Sequence, residues 1–215
     1  MEKRILVIGG TGMLGHIVLQ YLKETTNFKV FNSVFRNKFN QDSIICDVHN
    51  IDKLKLMFEE VKPNVVVNCV GALVQESKNN PKNAIYLNAM FPYVLRDLCD
   101  ENSAKLIHIS TDCVFSGKKG NYSEYDFKDA DDIYGRSKGL GEIYEEPHAT
   151  LRTSIIGPEL KQNGTGLFHW FMSQEGEVKG YENAFWGGVT TLELANNIRK
   201  VIDENLMGLY QVTNG

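Results

Sequence analysis

The first fifteen residues constrain this chain more than any other stretch. An apolar run, Ile5-Leu6-Val7-Ile8, passes directly into Gly9-Gly10-Thr11-Gly12-Met13-Leu14-Gly15, and an amphipathic segment extends from Met13 to Lys23. In a strand-to-helix turn of this kind the first glycine permits a tight bend, the second lets a phosphate approach the backbone, and the third lets helix and strand pack closely. The helix N-terminus then faces the negative charge. A glycine triplet alone also fits a plain turn. The strand before it and the helix behind it favour a dinucleotide, with Gly9, Thr11, Gly12, Met13, Leu14 and Gly15 around the pyrophosphate.

The remainder alternates in the same way. Ile5 to Ile8, Val30 to Phe35, Ile44 to Cys46, Val65 to Cys69, Leu106 to Ile109 and Leu151 to Ile156 read as strands, and Met13 to Lys23, Ile51 to Glu60, Asn83 to Glu101 and Ile133 to Glu146 as helices. Val65-Val66-Val67 lacks polar alternation, as a strand covered on both faces should. The pattern predicts an α/β fold, a doubly wound parallel sheet of the Rossmann type, over residues 1–156. After Ile156 the texture turns glycine-rich and aromatic, which predicts an insertion over the sheet's carboxyl edge at residues 157–189. A helix, Thr191 to Glu204, and a short strand, Leu209 to Val212, close the chain over residues 190–215.

Composition narrows the function classes. A length of 215 residues with 42% hydrophobic content suits one domain. The 23 basic and 27 acidic side chains leave a net charge of -4, spread along the chain, which argues against binding driven by nucleic-acid phosphates. Cys46, Cys69, Cys99 and Cys113 form no C-x-x-C pair, so neither a disulfide framework nor a metal site is expected, and a reducing cytoplasm is the expected location. The run Ile5 to Ile8 is too short for a signal peptide, and no stretch reaches membrane-spanning length.

The NAD pattern also wants a carboxylate about 20 residues beyond the glycines, for the ribose 2'-hydroxyl. Between Glu24 and Asp42 there is none, and the second strand ends at Phe35-Arg36. A guanidinium there suits a 2'-phosphate, so NADP(H) is expected in preference to NAD(H). The alternative is a solvated surface arginine.

Tyr134-Gly135-Arg136-Ser137-Lys138 sets a phenol and an ammonium four residues apart, on one helical face. Proton exchange by tyrosine near neutral pH needs a shift of roughly 3 pH units from about 10, or about 4 kcal/mol. One ammonium about 4 Å away at an effective dielectric of 20 supplies about that much. The competing explanation is a ring packed on a lysine stem.

The glycine loop, then His108-Ile109-Ser110-Thr111-Asp112-Cys113-Val114-Phe115-Ser116-Gly117, then Tyr134-Gly135-Arg136-Ser137-Lys138-Gly139-Leu140-Gly141-Glu142, occur in that order. Together they make the sequence resemble the extended short-chain dehydrogenase/reductase family, and within it the dTDP-4-dehydrorhamnose reductase branch. The resemblance extends through Leu151-Arg152-Thr153-Ser154 to Gly188-Val189-Thr190-Thr191-Leu192-Glu193-Leu194-Ala195. It implies that Thr111 holds a substrate carbonyl, that Tyr134 is the acid/base, and that Lys138 binds the nicotinamide ribose and lowers the phenol's pKa. It also implies that Asp47 and Val48 lie near adenine, that Cys69, Val70 and Gly71 pass the cofactor, and that Asn88 contributes from the next helix. Relatives often dimerise through helices, so a homodimer is an expectation too. The implied activity is reduction of a nucleotide-linked keto-deoxysugar by NADPH. An epimerase or dehydratase of the same superfamily, and a non-catalytic NADP(H)-binding regulatory subunit, are the alternatives.

Departures from the branch's pattern carry their own expectations. Lys128 to Asp132 reads as a solvated acidic loop. Cys69-Val70-Gly71 replaces a run of alanines. Extended members normally add helices beyond a segment like Gly208 to Asn214, so the expectation is either a short domain or a missing C-terminal part. Six aromatic residues, Phe168, Trp170, Phe171, Tyr181, Phe185 and Trp186, crowd the span from Asn163 to Gly188, and half are expected in the core. The rest suit a sugar or a nucleobase. The expected substrate contacts are Thr111, Asp112, Phe168, Trp170, Lys179 and Trp186; Lys161 and Lys179 suit a diphosphate, although isolated lysines are more often solvated. His108 reads as a packed core histidine, and Cys113 lacks the paired histidine of a nucleophile.

Overall fold

The computed structural model describes residues 2–161 and 164–214. Asn163 and Gly215, which bound two of the segments above, lie outside the described residues. Seven strands form one parallel sheet: β1 (Arg4–Ile8), β2 (Lys29–Val34), β3 (Ile44–Ile45), β4 (Val65–Asn68), β5 (Lys105–Ser110), β6 (Ala149–Arg152) and β9 (Gly208–Gln211). Their spatial order is β3-β2-β1-β4-β5-β6-β9, which reverses direction at β1 and β4. A separate two-stranded sheet pairs β7 (Ile155–Ile156) with β8 (Val189–Thr190).

The period of two along β1 builds both faces of the core. Ile5 and Val7 pack with Val18 and Leu22 of α1 (Gly15–Thr25) and with Leu194 and Ile198 of α8 (Thr191–Asp203). Leu6 and Ile8 point the other way, to Leu54 and Phe58 of α2 (Ile51–Val61) and to Phe91 and Leu95 of α5 (Phe91–Glu101). Each of these eight partner side chains is fully buried, a gain of about 1.5–3 kcal/mol apiece over exposure. At the amino ends of the strands, cations close helix C-termini: Arg4 Nε donates to Val61 O at 2.6 Å and Lys3 Nζ to Ile202 O at 3.1 Å.

Three predicted elements differ in detail. The helix expected from Asn83 to Glu101 is α4 (Pro81–Ile85), a π turn (Tyr86–Met90) and α5, preceded by α3 (Val74–Asn79). The strand expected from Leu151 to Ile156 breaks at Thr153, so that β7 leaves the main sheet. The helix expected from Ile133 to Glu146 stops early, as α6 (Ile133–Leu140), where Gly141 caps it. In the aromatic-rich segment α7 (Leu167–Met172) has six residues, and none is buried. The expectation that half of those aromatics form core is therefore not met: Tyr181 and Phe185 are at least nine-tenths exposed, and Phe168, Trp170, Phe171 and Trp186 are 40–59% exposed.

Candidate active site

The carboxyl ends of β1, β4, β5 and β6 open into a cleft of about 430 Å³ beside the point where the strand order reverses, where ligands of doubly wound sheets bind. Its wall near β1 is Thr11 to Leu14. The backbone closes there because Gly9 N–H and Gly10 N–H both donate to Ser33 O of β2, at 3.0 and 2.9 Å, and Gly12 N–H to Gly9 O at 2.9 Å. Gly9 takes a φ of +91°. A Cβ on Gly15 would run into Gly9 O, so only glycine brings α1 this close to the loop.

Three elements meet at the opposite wall. Thr111 follows β5 and is buried; its Oγ1 accepts from Cys113 N–H at 3.2 Å and donates to Asp112 Oδ1 at 3.3 Å. Ser154 Oγ donates to that same carboxylate oxygen at 2.6 Å. Tyr134 and Lys138 lie on α6, which starts where Asp132 Oδ1 accepts from Gly135 N–H at 3.0 Å. A Cβ on Gly135 would strike Cys113 O, so this glycine lets α6 lie against the Thr111 turn. Thr111, Tyr134 and Lys138 all line the cleft, together with Cys69, Val70 and Gly71.

The electrostatics reverse one expectation. Burial pushes the Tyr134 phenol up to about 12, with the Thr111 hydrogen bond working against it, rather than a lysine pulling it down. Lys138 does not figure among the causes of that shift; its Nζ donates to Ile109 O at 2.6 Å, and burial lowers it to about 8. The phenol thus keeps its proton at neutral pH. Lys138 has three donors, and among the described residues one is spent, on Ile109. A buried ammonium with donors to spare, lining the cleft beyond a glycine loop, fits the ribose hydroxyls of a dinucleotide. A nicotinamide dinucleotide held there would supply a hydride.

Beneath the site, Asn68 Nδ2 donates to His108 Nδ1 at 3.1 Å, and His108 is fully buried with its pKa far below the ordinary value through burial. It is a core histidine. Asn88 is also fully buried: Oδ1 accepts from Ala72 N–H at 2.8 Å, and Nδ2 reaches Ala72 O and Ser137 Oγ. Its polar atoms clamp the loop after β4 to α6.

Other expected residues fall outside the cleft wall. Arg36 is exposed at the end of β2, its guanidinium 4.6 Å from the centre of the Phe35 ring. Asp47 Oδ1 accepts from both the backbone N–H and Nδ1 of His49 at 3.0 Å, and the backbone bond chiefly lowers its pKa. Val48 O accepts from Tyr86 OH at 2.8 Å. Phe168, Trp170 and Lys179 do not line the cleft, because α7 and the segment after it lie open to solvent. Trp186 lines a different groove, of about 660 Å³, between β9 and α8. In their place the segment after β7 brings Glu159, Leu160 and Lys161 to the cleft; Glu159 Oε2 accepts from Gly166 N–H at 2.7 Å. The acidic run is likewise more than a solvated loop: Asp132 caps α6, and Asp129 holds Ser116 through N–H at 2.7 Å and Oγ at 2.5 Å.

Sequence reasoning also passed over a buried ion pair. Arg152 of β6 donates from Nε and Nη2 to the two oxygens of Glu142 at 2.7 and 2.9 Å, with both side chains at most 1% exposed. The signal was an arginine in an apolar strand and a glutamate four residues beyond Lys138.

Comparison with known proteins gives this geometry a context. A family model described as RmlD substrate binding domain matches residues 3–215. Over 143 residues the chain is 32% identical to the probable low-salt glycan biosynthesis reductase Agl14 of Haloferax volcanii, a match covering 63% of this chain and 46% of that protein. It is 31% identical over 171 residues to the methionine adenosyltransferase 2 subunit beta of Pongo abelii, covering 75% of this chain and 49% of that one. The chain thus spans about half the length of the curated relatives it matches first. Among solved structures, dTDP-4-dehydrorhamnose reductase from Bacillus anthracis in complex with NADP superposes with a TM-score of 0.83 at 23% identity, covering all of this chain and 75% of that one. Other solved chains of this fold hold NAD.

Proposed function

The chain belongs to the RmlD substrate binding domain family, and on that premise we propose that it is an NADP(H)-dependent reductase of a nucleotide-linked keto-deoxysugar. One observation carries the reading: a hydroxyl, a protonated phenol and a buried ammonium, Thr111, Tyr134 and Lys138, line a single cleft with a glycine loop. Lys138 binds the nicotinamide ribose. Thr111 turns its hydroxyl from Asp112 to the substrate carbonyl, and Tyr134 gives its proton to the oxygen as the carbonyl carbon is reduced. The phenol's raised pKa suits this direction, since a reduction needs the proton in place. Thr11 to Leu14 hold the pyrophosphate, Asp47 and Val48 flank the adenine, and Lys161, at the mouth of the cleft, meets the sugar's diphosphate. Asp112 keeps a place beside the sugar through Thr111 and Ser154.

Arg36 supports NADPH over NADH, because its exposed guanidinium stands where β2 ends and no carboxylate lies between Glu24 and Asp42. Titration with both cofactors tests this: Arg36→Ala should weaken NADPH binding about tenfold and leave NADH binding unchanged, and an NADH preference unaltered by the substitution overturns it. Reductase and epimerase separate by stoichiometry, since only a reductase consumes one NADPH per sugar. The reading extends to a homodimer, for which exposed Met90, Ile133 and Leu140 offer apolar surface.

A cofactor-holding regulatory subunit is the second reading, favoured by the likeness to a methionine adenosyltransferase subunit. It predicts NADPH binding without NADPH oxidation.

A further inference from the structure

The break after β6 presents one side chain to the site. β6 ends at Arg152 and β7 starts at Ile155, and Ser154 between them lines the cleft. Its main chain is fixed there: Ser154 O accepts from Val189 N–H of β8 at 2.9 Å and from Thr153 Oγ1 at 3.0 Å. The Ser154 hydroxyl then reaches across 42 residues of sequence to Asp112 Oδ1 at 2.6 Å, the same oxygen to which Thr111 Oγ1 donates at 3.3 Å. These two bonds are unequal. A hydroxyl bound well to a carboxylate lies at about 2.5–2.7 Å, as Ser154 does. The Thr111 bond is longer than the ordinary O–H···O range of about 2.5–3.0 Å and is therefore weak. Thr111 Oγ1 is held on its acceptor side by Cys113 N–H at 3.2 Å, which leaves its single proton as the part that can turn.

We propose that Ser154 is a positioning residue for the Thr111 hydroxyl: its strong bond sets where the Asp112 carboxylate sits, keeps the Thr111 bond long, and so leaves the Thr111 proton free for a substrate oxygen. This rests on the reading of Thr111 as the group that holds the substrate carbonyl. The reason is a competition between acceptors. An ionised carboxylate binds a hydroxyl proton roughly twice as strongly as a neutral carbonyl does. A carboxylate drawn onto Thr111 would therefore keep the proton, and the carbonyl would have to break a charge-assisted bond to obtain it. With Ser154 in place the bond to be broken is the weak one, and Asp112 Oδ1 still has a donor after Thr111 has turned. Ser154 acts through Asp112, not on the reacting carbonyl.

The test joins a structure to a kinetic cycle. Crystal structures of the wild type and of Ser154→Ala report the separation of Thr111 Oγ1 and Asp112 Oδ1. Loss of the serine should shorten it from 3.3 Å to about 2.7 Å, the ordinary O–H···O distance. Steady-state kinetics with NADPH and a keto-sugar nucleotide then compare wild type, Ser154→Ala, Asp112→Ala and the double variant. Ser154→Ala should lower kcat about tenfold and leave NADPH binding within about twofold, the pattern of an interaction that matters in the reaction rather than in cofactor binding. In the Asp112→Ala background the same change should lower kcat no further, because no carboxylate remains to take the Thr111 proton. A purely structural serine predicts the opposite, an equal loss with and without Asp112. That result, an unchanged Thr111 to Asp112 distance, or an unchanged kcat in an active enzyme overturns the proposal. A shortened distance in a protein whose wild type turns over no keto sugar upholds the competition for the Thr111 proton and instead removes the reading of Thr111 as a substrate ligand.

Discussion

In the proposed reduction Tyr134 bears the heaviest chemical demand, because its proton would have to be present before the reduction and transferable during it. Tyr134→Phe should leave NADPH affinity within about twofold, since no cofactor contact is lost, and lower turnover by a factor of about 10² to 10⁴, the ordinary worth of a positioned acid. Equal loss of binding and turnover would make the ring structural. Lys138 gives a second prediction with a definite sign. Its ammonium, lowered to about 8 by burial, is half lost at that pH, and an anionic cofactor favours the charged form. NADPH binding should therefore take up protons near pH 8 and almost none at pH 6, measured by calorimetry in buffers of different ionisation enthalpy, and Lys138→Met should abolish the uptake. The spacing of Tyr134 and Lys138 was legible in the sequence because one helical face fixes it. The direction of the phenol's shift was not, since it is set first by burial, which only the fold decides. Glu142 and Arg152 were legible as letters of a motif but not as a pair, because only folding brings β6 beside the end of α6.

At the scale of the element, the β1 to α1 turn shows how far local pattern reaches. The strand, the glycines and the helix were all legible, because each follows from neighbours in sequence: the period of two in β1, and the helical period in Val18, Leu19 and Leu22. Gly15→Ala should cost about 1–3 kcal/mol of stability, read as a lower denaturant midpoint at unchanged slope, because the added methyl meets Gly9 O and the loop must move. NADPH affinity should fall with it; an unchanged midpoint would mean that the close packing of α1 on the loop is not needed. The break after β6 was not legible. Leu151 to Ile156 looks like one strand, and Ile155-Ile156 leaves it only because β8, more than thirty residues later, offers a second partner. Nor was the exposure of α7, for a hexamer apolar at all but His169 reads the same whether or not anything packs against it.

The whole molecule places its chemistry where the architecture leaves a gap. Helices cover both faces of the sheet, so the free space at the carboxyl ends of β1, β4, β5 and β6 is where a loop-borne site can form. The second groove, along β9 and α8, holds Trp186 but none of Thr111, Tyr134 and Lys138, so volume alone does not mark the site. Among the described residues no helix is long and apolar enough to cross a membrane. The central claim is that this cleft passes a hydride from a reduced nicotinamide to a sugar carbonyl. It is tested most directly by incubating the protein with NADPH deuterated at nicotinamide C4 and a panel of dTDP-, GDP- and UDP-linked 4-keto-deoxysugars, and weighing the recovered sugars by mass spectrometry. The account predicts that one member of the panel gains one deuterium at C4 for each NADPH oxidised, and that Tyr134→Phe suppresses the gain. Tight NADPH binding with no deuterium transferred to any member would contradict it and identify the protein as a cofactor-holding subunit.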